Sequence, residues 1–149
     1  MKDQAISGAL TLDLLYATPS IIGTTPEDCF WSADGARLGF LWNDCGESFR
    51  DVWVYDIARA TKRRITHLGD DRRGEAGAGI SEAVWLGDGR IVFVLAGRLN
   101  IIDADGTSRE FEPGCGDVSG LAASADGTKL GFITQGSLMV KDFGTDAPA

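Results

Sequence analysis

Short runs rich in β-branched and aromatic side chains recur along much of this chain, and where apolar and polar positions alternate they do so with a period of two rather than 3.6. Arg37-Leu38-Gly39-Phe40-Leu41-Trp42 and Arg90-Ile91-Val92-Phe93-Val94-Leu95 are the clearest of them. A period of two predicts strands, because successive strand side chains point to opposite faces. Asp34-Gly35, Asp88-Gly89 and Asp126-Gly127 each separate two such runs. Asp-Gly favours tight hairpins, since glycine takes positive φ without a Cβ clash and aspartate tolerates it. Ala96-Gly97, Asp105-Gly106 and Gln135-Gly136 mark further hairpins. The predicted strands are 29–32, 37–43, 51–57 and 62–68, then 81–86, 90–95, 98–103 and 107–112, then 118–124, 129–134 and 137–143. Helix is nearly absent; the best helical candidate is 10–15, where alternation is equally compatible with a strand.

These stretches are copies of one another. Trp31-Ser32-Ala33-Asp34-Gly35-Ala36-Arg37-Leu38-Gly39-Phe40 returns as Ala123-Ser124-Ala125-Asp126-Gly127-Thr128-Lys129-Leu130-Gly131-Phe132. A copy one residue shorter, Trp85-Leu86-Gly87-Asp88-Gly89-Arg90-Ile91-Val92-Phe93, lies between them. A second shared phrase follows each copy: Val52-Trp53-Val54-Tyr55-Asp56, Leu99-Asn100-Ile101-Ile102-Asp103 and Leu138-Met139-Val140-Lys141-Asp142. Repeated units of about forty residues and four antiparallel strands are the pattern of β-propeller blades, which bury their cores by stacking.

The expected fold is all-β, a partial β-propeller of about three four-stranded antiparallel blades. It divides into a lead-in (1–26), blade 1 (27–68), a Gly-rich linker (69–79), blade 2 (80–113) and an incomplete blade 3 (114–149). Trp31, Trp85, Phe40, Phe93 and Phe132 are expected to fill the seams between blades, since aromatics bury the most area per residue. Blade 3 lacks an obvious outer strand after Phe143; residues 10–15 could supply one, or belong to a closure strand for a missing blade. Three blades do not close a ring, which usually has about four to eight. The chain is therefore expected to be a fragment, a truncated gene product, or a subunit that completes its ring by self-association through open blade faces.

Composition narrows the function. The chain has 149 residues, 44% hydrophobic and 24% charged, as in a globular domain. Its net charge of −8, from 14 basic and 22 acidic residues, opposes binding to a phosphate backbone. No run reaches the length of a membrane span, and the first residues hold no signal-peptide core. Cys29, Cys45 and Cys115 form no C-x-x-C pair or complete disulfide framework, so free thiols in a reducing compartment are expected, cytoplasmic if the chain is complete at its N-terminus and periplasmic if an upstream signal is missing.

The residues carry a family resemblance. Leu10-Thr11-Leu12-Asp13-Leu14-Leu15-Tyr16-Ala17-Thr18-Pro19-Ser20 resembles the lead-in of bacterial dipeptidyl peptidase IV-type enzymes of the prolyl oligopeptidase family. Ser32-Ala33-Asp34-Gly35 is similar to the Ser-Pro-Asp-Gly hairpin of their propeller repeats. Asp51-Val52-Trp53-Val54-Tyr55-Asp56-Ile57 with Arg63-Arg64-Ile65-Thr66, and Gly79-Ile80-Ser81-Glu82-Ala83-Val84-Trp85, resemble further parts of that propeller. The resemblance covers nearly the whole chain. It implies an N-terminal propeller that gates a C-terminal Ser-Asp-His hydrolase domain acting on short peptides. The family's acidic pair for the substrate amine lies farther along the pattern, and no adjacent Glu-Glu occurs here. Ala33 and Ala125 in place of proline, and Gly87 at the matching position, mark a divergent member.

The chain supplies no chemistry of its own at this level. It has no G-x-S-x-G elbow; Gly116-Asp117-Val118-Ser119-Gly120 has the wrong spacing. The one histidine, His67, sits at a predicted strand end, and the cysteines lack metal-ligand spacing. Gly74-Glu75-Ala76-Gly77-Ala78-Gly79 precedes an extended segment rather than a helix, so it reads as linker, not phosphate loop. Asp70-Asp71 beside Arg72-Arg73 reads as a mixed-charge loop. No catalytic residue, substrate-binding residue, metal or cofactor is assigned. The expected role is a non-catalytic propeller portion, a scaffold and substrate gate whose partners are the missing blades or hydrolase domain and a peptide substrate. A stand-alone protein-interaction module is the alternative. The nearest candidate for a functional surface is loop 43–50, which accounts for the extra length of blade 1.

Overall fold

Each copied stretch closes on itself as an antiparallel meander. The computed structural model describes residues 11–17, 23–70, 79–103, 106–111 and 114–143. Blade 1 is β1 (Glu27–Trp31), β2 (Arg37–Trp42), β3 (Asp51–Asp56) and β4 (Thr61–Arg64), hydrogen-bonded in that order. Blade 2 is β5 (Ile80–Trp85), β6 (Ile91–Leu95), β7 (Arg98–Ile102) and β8 (Ser108–Glu110) in the same order. Among the described residues blade 3 has three strands, β9 (Ser119–Ala123), β10 (Lys129–Thr134) and β11 (Ser137–Asp142), with β11 outermost. The lead-in contributes a single helical turn, α1 (Leu12–Leu15). That turn corrects the strand alternative for this segment: four helical residues cannot pair as the missing outer strand of blade 3. Leu10, residues 71–78 of the Gly-rich linker and residues 144–149 lie outside the described residues.

The Asp-Gly hairpins follow from local hydrogen bonds. In blade 1, Ser32 N donates to Arg37 O (3.0 Å), Gly35 N to Ser32 O (2.9 Å) and Ala36 N to Asp34 Oδ1 (3.0 Å). Blade 3 repeats the set: Ser124 N to Lys129 O (2.9 Å), Gly127 N to Ser124 O (2.8 Å) and Thr128 N to Asp126 Oδ1 (3.0 Å). The shorter turn of blade 2 keeps the same logic, with Arg90 N donating to Asp88 Oδ1 (3.0 Å). The Ser124 hydroxyl, then the amide and hydroxyl of Thr128, draw the Asp126 carboxyl from its ordinary 3.8 down to about 2.

Alternation along the strands sends one set of side chains forward to the next blade and the other set backward. Forward from blade 1 point Leu41, Val52 and Val54, against Ile80, Ala83, Trp85, Ile91, Phe93 and Ile102 of blade 2. Phe30 joins this seam with its ring 5.8 Å from that of Trp85. Forward from blade 2 point Val92, Val94, Leu99 and Ile101, against Val118, Leu130 and Phe132 of blade 3. Blade 2 is thus covered on both faces, which is why Ile91-Val92-Phe93-Val94-Leu95 is apolar without interruption.

Two of the five expected seam aromatics lie elsewhere. Phe40 points backward and stacks on Trp53 (centroids 6.5 Å), which meets Trp42 edge-on (5.0 Å); this cluster lies on the face of blade 1 away from blade 2. Trp31 is equivalent to Trp85 and also points backward, where no described blade covers it; it is 59% exposed against 5% for Trp85. The other end of the stack is open too. Leu41, Val52 and Val54 are 0–4% exposed, and the matching Val94, Leu99 and Ile101 of blade 2 are 0–1%. Their counterparts in blade 3, Ile133, Leu138 and Val140, stand at 43%, 74% and 65%.

Backbone contact also ties the hairpins of blades 2 and 3. Gly87 N donates to Gly127 O (3.0 Å), and a Cβ on Gly127 would lie 2.1 Å from Gly87 N. Gly35, the equivalent of Gly127 in blade 1, has nearly the same φ (67° against 68°) but nothing within 4 Å. Gly35→Ala should therefore cost about 1–2 kcal/mol from backbone strain alone. Gly127→Ala should cost about 1–3 kcal/mol more from the clash, measured by denaturant unfolding; equal losses at the two sites would refute the hairpin contact. The Asp126 turn carries its own pH signature. A depressed carboxylate stabilises the fold above its unfolded pKa and stops doing so as pH falls through the folded one. Asp126→Ala should lower Tm near neutral pH, the difference shrinking between about pH 4 and 2 and vanishing below.

Candidate functional site

The extra residues of blade 1 fall on the rim opposite the Asp-Gly hairpins, between β2 and β3. Loop 43–50 is folded around its first side chain: Asn43 Oδ1 accepts from Cys45 N (2.9 Å) and Glu47 N (3.1 Å), and Asn43 Nδ2 donates to Phe49 O (2.7 Å). Phe49 is buried. Arg50 ion-pairs with Glu27 at the start of β1, and its carbonyl accepts from Ile80 N (3.0 Å). Gly79 lies so close that a Cβ there would sit 2.4 Å from Arg50 N. The loop thus fastens blade 1 to the first strand of blade 2.

Directly after it lies a carboxylate that the strand pattern conceals. Asp51 opens β3 and is 1% exposed. Its Oδ1 accepts from the Thr66 hydroxyl (2.5 Å) and Leu68 N (2.9 Å), and its Oδ2 from Arg64 Nη2 (2.6 Å) and Gly69 N (3.2 Å). The Thr66 hydroxyl also accepts from Val52 N (2.9 Å). Arg64 reaches on to Asp70 (2.8 Å). Burial works against the charge on Arg64, but its bonds to Asp51 and Asp70 outweigh that and raise its pKa above the ordinary guanidinium value. The only signal for this hub in the sequence is an acidic residue opening an apolar strand, answered by Arg64 and Thr66 on the next.

A second polar fastener ties blade 2 to blade 3. Glu82 accepts from Gly120 N (3.0 Å) and Leu121 N (2.7 Å) of the next blade's inner strand. Where the inner strands β1, β5 and β9 converge, a notch of about 340 Å³ is lined by Trp31 and Ser32, Trp85, and Ser124 and Ala125, from all three blades. Its hydroxyls are committed: Ser32 donates to Asp34 (2.6 Å) and Ser124 to Asp126 (2.5 Å).

The residues weighed for chemistry are scattered. His67 is 64% exposed, with Nδ1 3.5 Å from Asp70 on the surface. Cys29 and Cys45 are exposed and Cys115 is half-buried. Among the described residues no group of three or more His, Cys, Asp or Glu is placed to hold a metal ion. No helix among them is long and apolar enough to cross a membrane.

No family model matches the chain, and no curated protein matches it. Solved structures do. A TolB-type protein of Agrobacterium tumefaciens superposes with TM-score 0.55 at 19% identity over 84% of this chain and 42% of that one. A gluconolactonase of Xanthomonas campestris gives TM-score 0.56 at 12% identity, over 79% of this chain and 37% of that one. Virginiamycin B lyase of Staphylococcus aureus gives 0.50 at 14%, over 82% and 42%. The neighbours are β-propeller proteins, and at this identity the likeness establishes the fold. The chain spans about two fifths of their length. Its architecture is a partial β-propeller, with the ring not closed.

If the Asp51 hub secures the rim, Asp51→Ala should destabilise by about 3 kcal/mol, because Arg64 and the amides of Leu68 and Gly69 lose their acceptor. A loss below about 1 kcal/mol on urea unfolding would show the hub to be dispensable.

Proposed function

We propose that this chain is the propeller portion of a peptidase resembling the dipeptidyl peptidase IV branch of the prolyl oligopeptidase family. It acts there as scaffold and substrate gate for a hydrolase domain outside these residues. The observation that carries the reading is the open forward face of blade 3, where Ile133, Leu138 and Val140 are exposed at positions that blades 1 and 2 bury. Such a face requires a further blade against it. The serines of the axial notch serve their turns, and the histidine lies on the surface beside a carboxylate, so cleavage falls to another domain. The exposed cysteines at positions 29 and 45 favour a reducing, cytoplasmic compartment.

A stand-alone interaction module is the second reading. The observation favouring it is β11, which among the described residues is an edge strand with all six residues exposed, open to strand addition by a partner. The coding sequence beyond the Ala149 codon separates the two. The peptidase reading requires further blade repeats there, then G-x-S-x-G with Asp and His after it; a partner gene following a stop codon favours the module. The 149-residue chain alone should release no p-nitroaniline from dipeptidyl substrates, and measurable turnover would overturn the non-catalytic assignment. In light scattering after size exclusion it should self-associate, and Leu138→Lys should shift it toward monomer. A wild-type monomer persisting at high concentration would mean that the blade 3 face needs no cover.

A further inference from the structure

On the hairpin rim, blade 1 leaves a cleft of about 680 Å³ apart from the interblade seams and the notch. Its base comes from one side of one sheet and its walls from the two hairpin turns at 34–36 and 57–59. Arg37 pairs in register with Asp56, Val54 with Arg63, and Asp56 with Thr61, so these five side chains share the forward face. That is the face packed against blade 2, and the Arg37 guanidinium lies 5.0 Å from the centre of the Trp85 ring. Val54 is buried at the base, while Ile57 presents an exposed apolar wall.

The charges around the cleft do not balance locally. Arg37, Arg59 and Arg63 line it together with Asp34 and Asp56. Both carboxylates are already engaged. Asp34 accepts from the Ser32 hydroxyl (2.6 Å) and Ala36 N (3.0 Å). Asp56 accepts from the backbone N (2.9 Å) and Nη1 (2.7 Å) of Arg59. These bonds, with a smaller pull from the Arg37 charge on Asp34, hold both acids below their ordinary value, so they stay ionised at neutral pH. Arg37 and Arg63 have no ion-pair partner among the described residues. In a chain with 22 acidic and 14 basic residues, acids are not scarce. Two guanidinium groups without an ion-pair contact beside an apolar wall, Arg37 resting on the Trp85 ring and Arg63 exposed, are the elements of an oxyanion site.

We infer that this cleft binds a small organic anion, its carboxylate or phosphate oxygens held by Arg37 and Arg63 and its apolar body against Ile57 and Val54. The site stands independently of the peptidase reading. Isothermal titration calorimetry of the intact chain at low salt, with 3-phenylpropionate, phenyl phosphate and the neutral 3-phenylpropanol, tests it. Saturable binding of one or both anions, and none of the alcohol, is expected; which anion binds assigns carboxylate or phosphate. Arg63→Gln, at an exposed position away from Trp85, should weaken binding about tenfold or more. Arg59→Gln, whose guanidinium already serves Asp56, should change it by no more than about twofold. Arg37→Gln should weaken binding like Arg63→Gln, provided its thermal melt matches the parent. Absence of saturable binding to the folded chain, equal binding of the alcohol, or undiminished affinity in Arg63→Gln would overturn the site.

Discussion

A sheet only one strand-layer thick has two apolar faces and can bury neither by itself. That constraint governs this molecule. Burying a Leu, Val or Ile side chain is worth about 1.5–3 kcal/mol, and each seam buries several of them. Surface ion pairs such as Arg98 with Glu110 or Lys129 with Asp142 contribute about 0–1 kcal/mol each. The seams therefore decide the stack, and the surface charges trim it. Blade 2 satisfies the constraint twice, blade 3 only on its rear face. The same side-chain positions are core in two copies and surface in the third.

Polar groups then set how the blades lock. Asp51, Thr66 and Arg64 hold the chain where it leaves blade 1, Arg50 pins that region to Ile80, and Glu82 holds the inner strand of blade 3. Each of these groups is satisfied within the protein. The length that distinguishes loop 43–50 from its counterparts is spent on joining blades. On the hairpin rim the balance is reversed, since Arg37 and Arg63 stand over a cleft whose acids are bound elsewhere.

The sheets were legible in the sequence because their determinants are local. Period-two alternation and Asp-Gly turns fixed the strands to within a few residues, and the copied phrases showed that pairing stays inside each copy. Alternation also indicates which residues share a face, but not whether anything lies against it. That is why Trp31 reads as seam filler while being exposed, and why Phe40 packs in an aromatic cluster instead of a seam. Residues 10–15 are ambiguous in the sequence because so short an alternating run suits a helical turn as well as a strand. The Glu82 clamp joins residues 38 and 39 positions apart, and no spacing rule announces it. The Gly87–Gly127 contact is between backbones, and a side-chain pattern carries no trace of it.

Pairing confined within each copy bears on how the molecule is made. Every strand finds its partner across a turn or short loop, so little chain entropy is spent on distant encounters. Blade 1 can pair its strands before blade 2 is complete, but it gains a buried core only when the next meander settles on its forward face. Synthesis and assembly thus run in the same direction, from amino to carboxyl end.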